Sequence, residues 1–460
     1  MNSSLRKKLS LASACLAFVI VILDVSVVNV ALQQIYGEFD GSLAHLEWVV
    51  NGYTLTFASF LLTTGSLGDR FGPKRVFLIG FALFALASWL CGNADSLTSL
   101  IVFRLLQGLG AALVVPASLA ILNQTFPDTN ERSRAISLWA AAGGMALAFG
   151  PVFGGTLISM FGWRSIFYVN IPIAALGITL AYVFVLEKSS FADRRIDIAG
   201  QVLAVAALSC LTYALIQVNA YGLHSPEVLF SAAGFVVATA LFILVEQRVN
   251  APMLPLSLFA NKQFTAAALI GVMINFAFYG LVFLFSLYFQ YSWHYSPLET
   301  GLAFLPMTGA IMLANLYSAK LMVRRGFRQT LLLGTGLAAL GYATIVPFLN
   351  GQSYGAMLVQ FIVAGFGIGL AVPAVTNAMV SSADSKHIGV ASGVLNASRQ
   401  IGGLIGVASM GLLLGDFAGE SFNQGITPAL IVASGALVVC IALVLSGFSK
   451  PQVIACKSTS

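Results

Sequence analysis

Charge is what this chain of 460 residues has least of. Asp, Glu, Lys and Arg make up only 9% of it, against about 25% in an ordinary soluble protein. With 58% of its residues hydrophobic, a water-soluble fold of this length could not hide its apolar surface, so a soluble globular class is excluded. Cysteine is sparse as well. Cys15, Cys91, Cys210, Cys440 and Cys456 are scattered, odd in number and free of any CxxC pair, so neither a disulfide framework nor a thiolate metal site is expected. His45, His224, His294 and His387 fall in or near loops and acquire no role. There is no Walker motif, no ATP-binding domain and no basic soluble surface for nucleic acid. The alternating pattern of an outer-membrane barrel is missing too.

What the chain does have is long apolar runs. A membrane-crossing helix needs about 20 apolar residues, and lipid offers backbone groups no hydrogen-bond partner, so such runs must be helices. Fourteen segments qualify, at 9–32, 48–68, 76–94, 99–122, 135–158, 164–185, 198–218, 227–245, 264–289, 301–322, 330–348, 355–380, 389–414 and 426–447. Arg6, Lys7 and Lys8 precede the first of them, and ASAC at 12–15 faintly resembles a lipoprotein cleavage box. The apolar run continues to Leu32, too long for a signal core, so an uncleaved first span is expected.

The net charge of +6 reads as topology. Nearly all Lys and Arg fall at the two termini or after even-numbered spans, as with Arg132 and Arg134, or Lys188, Arg194 and Arg195, or Arg324, Arg325 and Arg328. Only Arg164 lies at an outer loop, while Arg104 and Arg399 lie within spans. This asymmetry predicts cytoplasmic termini and an even span count. A faint repeat supports two parallel halves. LGDRFGPKRVFLIG at 67–80 pairs with LMVRRGFRQTLLLG at 321–334, and GLGAALVVPA at 108–117 with GFGIGLAVPA at 365–374, both offset by about 255 residues. Spans 7 and 8 are then an extra pair between two six-span halves, a plan that places a binding site between the halves at mid-membrane.

Three stretches carry a family resemblance. GSLGDRFGPKRV at 65–76 is, by composition, a tight cytoplasmic turn. Its order G-x-L-G-D-R-x-G-x-K-R resembles the signature loop of the major facilitator superfamily. That implies a cytoplasmic gate formed by Gly65, Gly68, Asp69, Arg70, Gly72, Lys74 and Arg75, whose charges latch the two halves. RLLQGLGAALVVP at 104–116 puts Arg104, Gln107 and Gly108 on one helical face. It resembles the second motif of the superfamily, whose Arg is associated with proton-coupled members; a structural salt bridge or snorkelling to the outer surface is the competing reading. GGMALAFGPVFGG at 143–155 favours kinking and close helix packing. Its ending, with Gly150, Pro151, Gly154 and Gly155, resembles the motif that marks antiporters, which implies export rather than uptake.

LDVSVVNVAL at 23–32, WRSIFYVNIP at 163–172 and GVASGVLNASRQIGG at 389–403 resemble the fourteen-span drug:proton antiporter family of the superfamily. The likeness spans the whole chain, with one departure: Gln33 stands where the family usually has proline, which should alter the outer end of span 1. Asp24 is the only acid inside the predicted spans, on a face with Ser13, Ala17, Ile20, Val28 and Ala31. It lies about 12 Å below the outer end of its span and Arg104 about 8 Å below the same surface, at 1.5 Å per residue. Two readings stand: a proton carrier tuned by Arg104, or a permanent pair locking spans 1 and 4. Arg399, beside Asn396 and Gln400, is either a polar hub or a site for anionic substrate groups. Asn29 and Gln107 complete the candidate hub.

The expected fold is an all-α polytopic membrane protein of fourteen spans with cytoplasmic termini. An N-terminal six-helix bundle at 1–186 precedes two extra spans at 187–260 and a C-terminal six-helix bundle at 261–460. The resemblance implies a non-enzymatic, proton-coupled exporter of lipophilic or cationic toxic compounds, without cofactor or metal and driven by the proton gradient. Its partners would be a small lipophilic substrate, protons and the lipid bilayer of the cytoplasmic membrane, with no nucleic acid, and it would act as a monomer. The 34 Phe, 13 Tyr and 5 Trp suit a cavity that holds flat cations. A dedicated exporter of one antibiotic, metabolite or lipid stays open, as does a non-transporting membrane sensor. A channel is disfavoured, because no ring of pore charges is visible.

Overall fold

Serine, proline and glycine mark where the helices begin and end. Ser42 opens α2 (Leu43–Phe71), Ser96 opens α4 (Leu97–Thr125) and Ser296 opens α11 (Pro297–Ile345), each through a capping box. Pro73, Pro226 and Pro297 stand in the first turns of α3 (Pro73–Gly92), α9 (Pro226–Arg248) and α11, where a missing N–H is harmless. Gly72 and Gly162, with φ of 88° and 77°, end α2 and α5 (Thr129–Phe161) in a backbone region that favours glycine. The other helices are α1 (Ser3–Phe39), α6 (Ser165–Tyr168), α7 (Asn170–Phe184), α8 (Ile198–Tyr221), α10 (Lys262–Tyr291), α12 (Tyr354–Ser381), α13 (Ile388–Leu414) and α14 (Glu420–Gly447). The computed structural model describes residues 3–187, 197–249, 252–351, 353–383, 388–414 and 420–448. Lys188, Arg194, Arg195, His387 and Cys456 lie outside them.

Among the described residues, twelve helices are long and apolar enough to cross a membrane, which makes the chain a multi-pass membrane protein. One of the twelve, Pro297–Leu349, contains two of the expected segments, those at 301–322 and 330–348. Gly326 inside it has φ 74° and ψ 174°, so two helical pieces meet there at a kink. The expected segment at 48–68 lies in α2, which is not among the twelve. Asn51, Thr54, Thr56, Ser59, Thr63 and Thr64 dilute its hydropathy. The segment at 164–185 is split into α6 and α7 around Val169. The first span, expected at 9–32, belongs to a helix of 37 residues, about 55 Å long at 1.5 Å per residue. A hydrocarbon core is about 30 Å thick, so this helix tilts or projects beyond it.

The helices pack in two groups. In the first, α1 contacts α4, α5 and α7, and α4 also packs on α2 and α3. In the second, α11 contacts α12 and α14, while α10 contacts α12, α13 and α14. The groups meet along two seams, α5 against α11 and α2 against α13. The α8–α9 pair is fastened at the second seam, since α8 contacts both α2 and α13. Gln201 of α8 donates to the Ser59 carbonyl at 3.0 Å and accepts from Thr63, both on α2.

Candidate functional site

Four helices of the first group bring their polar side chains to one buried point. Asp24 is fully buried on α1. The Arg104 guanidinium of α4, 1% exposed, donates through Nη1 to Asp24 Oδ2 at 2.5 Å. Gln107, one turn along α4, donates to Asp24 Oδ1 at 2.7 Å and to Ser88 Oγ of α3 at 2.8 Å. Asn170, at the start of α7, donates to the same Oδ1 at 3.0 Å and to Ser88 at 3.3 Å. Asp24 therefore accepts from three side chains, and its charge is paired within hydrogen-bond distance. Burying an ion pair is tolerable only when the remaining donors and acceptors are also satisfied, and this knot meets that condition except at Asn170 Oδ1, which has no partner among the described residues. Of the structural readings that compete with a coupling role for Arg104, a buried salt bridge is what the geometry shows, and a guanidinium 1% exposed does not snorkel to the surface.

The guanidinium has further partners. Its Nη1 also donates to Gln107 Oε1 at 2.6 Å, and its Nε to the Val49 carbonyl of α2 at 3.0 Å. Its Cζ stands 4.5 Å from the Tyr53 ring centre and 5.8 Å from that of Phe167. The counter-ion of Asp24 therefore has a second set of acceptors besides the carboxylate. Gln107 belongs to this knot. Ser88 and Asn170 were not singled out in the sequence, although Asn170 stands inside the quoted WRSIFYVNIP.

Asn29 lies elsewhere, on the wall of a cleft between the two groups. That cleft is nearly closed, with a cavity volume of only about 10 Å³, and is lined by Val25, Ser26 and Asn29 of α1, Leu147 and Pro151 of α5, Phe278 and Tyr279 of α10, and Phe304 and Met307 of α11, among others. Its wall is apolar and aromatic with few polar groups, the usual make-up of a small-molecule site. Val25 places the cleft one residue from Asp24.

The glycine stretch of α5 forms the packing around this cleft. A Cβ at Gly150 would stand 2.5 Å from Ser26 Oγ and one at Gly154 2.8 Å from Val27 Cβ, both on α1. A Cβ at Gly155 would strike the Pro297 carbonyl of α11, and one at Gly301 of α11 would strike the Pro151 carbonyl. The antiporter-like motif therefore packs on α1 with one side and seals the α5–α11 seam with the other. Thr308 adds a bond across that seam, donating to the Ala148 carbonyl at 2.9 Å. Gln33, the departure from the family, lets α1 run on to Phe39 and donates to the Gln290 carbonyl of α10 at 3.2 Å.

The remaining predicted residues are dispersed. Gly65, Gly68, Asp69 and Arg70 lie in the last turns of α2, and the Asp69 side chain is outside what is described. Lys74 donates to the Tyr182 carbonyl at 2.8 Å and Arg75 pairs with Glu187, so both reach the end of α7. Arg70 stands 5.4 Å from the Phe71 ring centre. Arg164, expected at an outer loop, pairs with Glu38 of α1 at 2.7 Å. Arg399 of α13 donates to Thr376 Oγ1 of α12 at 2.6 Å, while its Nε is buried without a partner among the described residues. Asn396 and Gln400 are half-buried on the same helix. One expectation is corrected outright. Asp24 is not the only acid in a span, because α2 begins at Leu43 and carries Glu47, 1% exposed, inside it.

Comparison with known proteins agrees with this architecture. The chain is 39% identical over 440 residues to the methylenomycin A resistance protein of Streptomyces coelicolor, covering 95% of this chain and 90% of that one. It is 35% identical over 406 residues to the multidrug resistance protein Stp of Mycobacterium tuberculosis, covering 88% and 75%. The crystal structure of the nucleoside transporter NupG superposes with a TM-score of 0.66 at 12% identity, covering 96% of this chain and 100% of that chain, a likeness of fold. Residues 14–407 match the Major Facilitator Superfamily, and the chain belongs to that family.

Proposed function

We propose that this protein exports antibiotics or other lipophilic toxic compounds across the cytoplasmic membrane and is driven by protons. The observation that carries this reading is the aromatic cleft between the two helix groups, one residue from the buried Asp24 knot. The resistance proteins to which the chain is similar support efflux. Fourteen crossings follow if α2 is counted and the kinked Pro297–Leu349 is counted twice. Both termini then lie in the cytoplasm, with domains at 1–186, 187–260 and 261–460. In that orientation the Gly155–Pro297 and Pro151–Gly301 contacts close the outer side. Substrate would enter the cleft from the cytoplasm, and the two seams would part outward to release it. No cofactor is needed, and a monomer contains the whole path.

Asp24 is the coupling group in this reading. Protonation weakens its hold on Arg104, which keeps Gln107, the Val49 carbonyl and the Tyr53 ring. The cycle alternates between a paired and a protonated Asp24. A second reading, a dedicated exporter of one anionic compound, draws on Arg399, whose guanidinium bonds a hydroxyl and has a free Nε among the described residues.

The test uses purified protein in liposomes under an imposed proton gradient, following a cationic dye and lumenal pH together. Wild type should exchange dye for protons, and Asp24→Asn should not. Wild type that moves neither dye nor protons across a panel of cations removes the multidrug reading. Dye exchange that survives in Asp24→Asn removes Asp24 as the coupling group.

A further inference from the structure

Glu47 is 1% exposed on α2, and neither of its carboxylate oxygens has a hydrogen-bond partner among the described residues. Gly411 of α13 lies directly against it, so closely that a Cβ at 411 would strike Glu47 Oε1. One helical turn along the same face, Asn51 is fully buried and both atoms of its amide are likewise unpartnered. The α2–α13 seam thus closes over an acid and an amide whose polar side-chain atoms have no hydrogen-bond partner among the described residues.

Among the described residues, no compensating charge pairs with Glu47. On α2 itself, His45 is occupied in the Ser42 capping box, and Arg70 is at the other end of the helix. On α4, Arg104 is committed to Asp24 of α1. On α13, Arg399 stands twelve residues from Gly411 and bonds Thr376, about 18 Å away along the helix. Lys74 and Arg75 of α3 are held at the end of α7. On α8, Tyr213 faces Trp48 rather than Glu47.

We propose that Glu47 is a proton latch on this seam: its protonated form holds α2 against α13, and its ionised form favours their separation. An ionised carboxylate buried without donors is strongly disfavoured, whereas the uncharged acid fits the same space. Parting the helices admits water and lets the group ionise. The closed seam therefore binds one proton more than the open one, so acid favours closure and alkali favours opening. A single linked proton changes the open-to-closed ratio by about tenfold per pH unit. The proton comes from the solution that wets the seam on opening, and it returns there, so Glu47 sets the balance of conformations while Asp24 carries the transported proton. This inference rests on the transport reading above, since only halves that separate would expose Glu47.

Hydrogen–deuterium exchange of residues 43–50 and 408–414 tests it, on the full chain in lipid nanodiscs, corrected for the intrinsic pH dependence of exchange. In wild type, both segments should exchange faster as pH rises, by up to about tenfold per unit. Glu47→Gln, which mimics the protonated acid, should stay protected and lose the slope, and Glu47→Asp should restore it. The infrared carbonyl band of a protonated carboxylic acid should be present in wild type and diminished in Glu47→Gln. A flat wild-type profile overturns the latch whether or not any variant folds, and so does a Glu47→Gln slope equal to that of wild type. Asp24→Asn should abolish dye–proton exchange while keeping the slope, so the latch and the coupling group fail separately.

Discussion

Asp24 and Glu47 are two carboxylates buried to the same degree, on neighbouring helices of one half, and their surroundings are opposite. Asp24 faces the interior of its own helix group and accepts from Arg104, Gln107 and Asn170. Glu47 faces the other half across a seam and accepts from nothing described. In the proposed transport cycle, the first site is built from helices that stay together, so its bonds persist unless a proton intervenes, and the second from helices that part, where a saturated network would oppose the parting. Burial alone does not determine what an acid in a membrane protein does. Its role follows from whether its partners move with it.

The largest test of this contrast is Arg104→Leu. It leaves the Asp24 charge buried without its counter-ion, and breaking a buried pair costs about 3–5 kcal/mol. Folded yield and the unfolding midpoint in detergent should fall sharply, and the double variant Asp24→Asn/Arg104→Gln should recover much of the loss. Glu47→Leu should act in the opposite direction, because it removes an unsatisfied buried group and adds no cavity. Stability should rise by about 1–3 kcal/mol at neutral pH, and a loss of that size would mean that Glu47 has a partner.

Two of the buried asparagines, Asn170 and Asn51, divide in the same way. Asn170→Ala strips one donor from Asp24 and should cost about 1–3 kcal/mol, together with a shift in the pH dependence of dye exchange. Asn51→Ala breaks no described bond and should change stability by less than about 1 kcal/mol, measured in the same melt. Equal effects of the two would erase the distinction between the sites. A comparably small effect is expected from Gln33→Ala, which loses the single bond to Gln290 across the halves, about 0.5–1.5 kcal/mol. Its readout is faster exchange at the outer end of α1 rather than a change in melting.

Much of this was legible before any coordinates. Apolar run length located nearly every helix, and the expense of charge in lipid singled out Asp24 and Arg104, whose pairing was one of the two readings open. The Gly326 kink was foreshadowed by Arg324, Arg325 and Arg328, which interrupt the apolar run. Three things were hidden. Glu47 stood one residue before the expected start of its span, because polar α2 gives a weak hydropathy edge and helix caps extend beyond it. Asn170 is a small polar residue whose value lies in meeting Asp24 from 146 positions away, Ser88 joins only by accepting from Gln107 and Asn170, and no local pattern encodes either. Gln107 was grouped with the substrate hub because periodicity gives its face of α4 but not which neighbour that face meets.

The Asp24 knot also bears on how the chain is made. Asp24 precedes Arg104 by 80 residues and Asn170 by 146. At synthesis rates of about 5–20 residues per second, the acid is complete roughly 4–16 s before its counter-ion and longer still before its last donor. Throughout that interval α1 contains a polar group whose insertion at mid-membrane costs about 2.5–3.5 kcal/mol. The first helix must therefore wait, either with Asp24 neutral or sheltered beside the insertion machinery. The last donor to Asp24 arrives with α7, so the full set of bonds around the acid forms only after that helix is made.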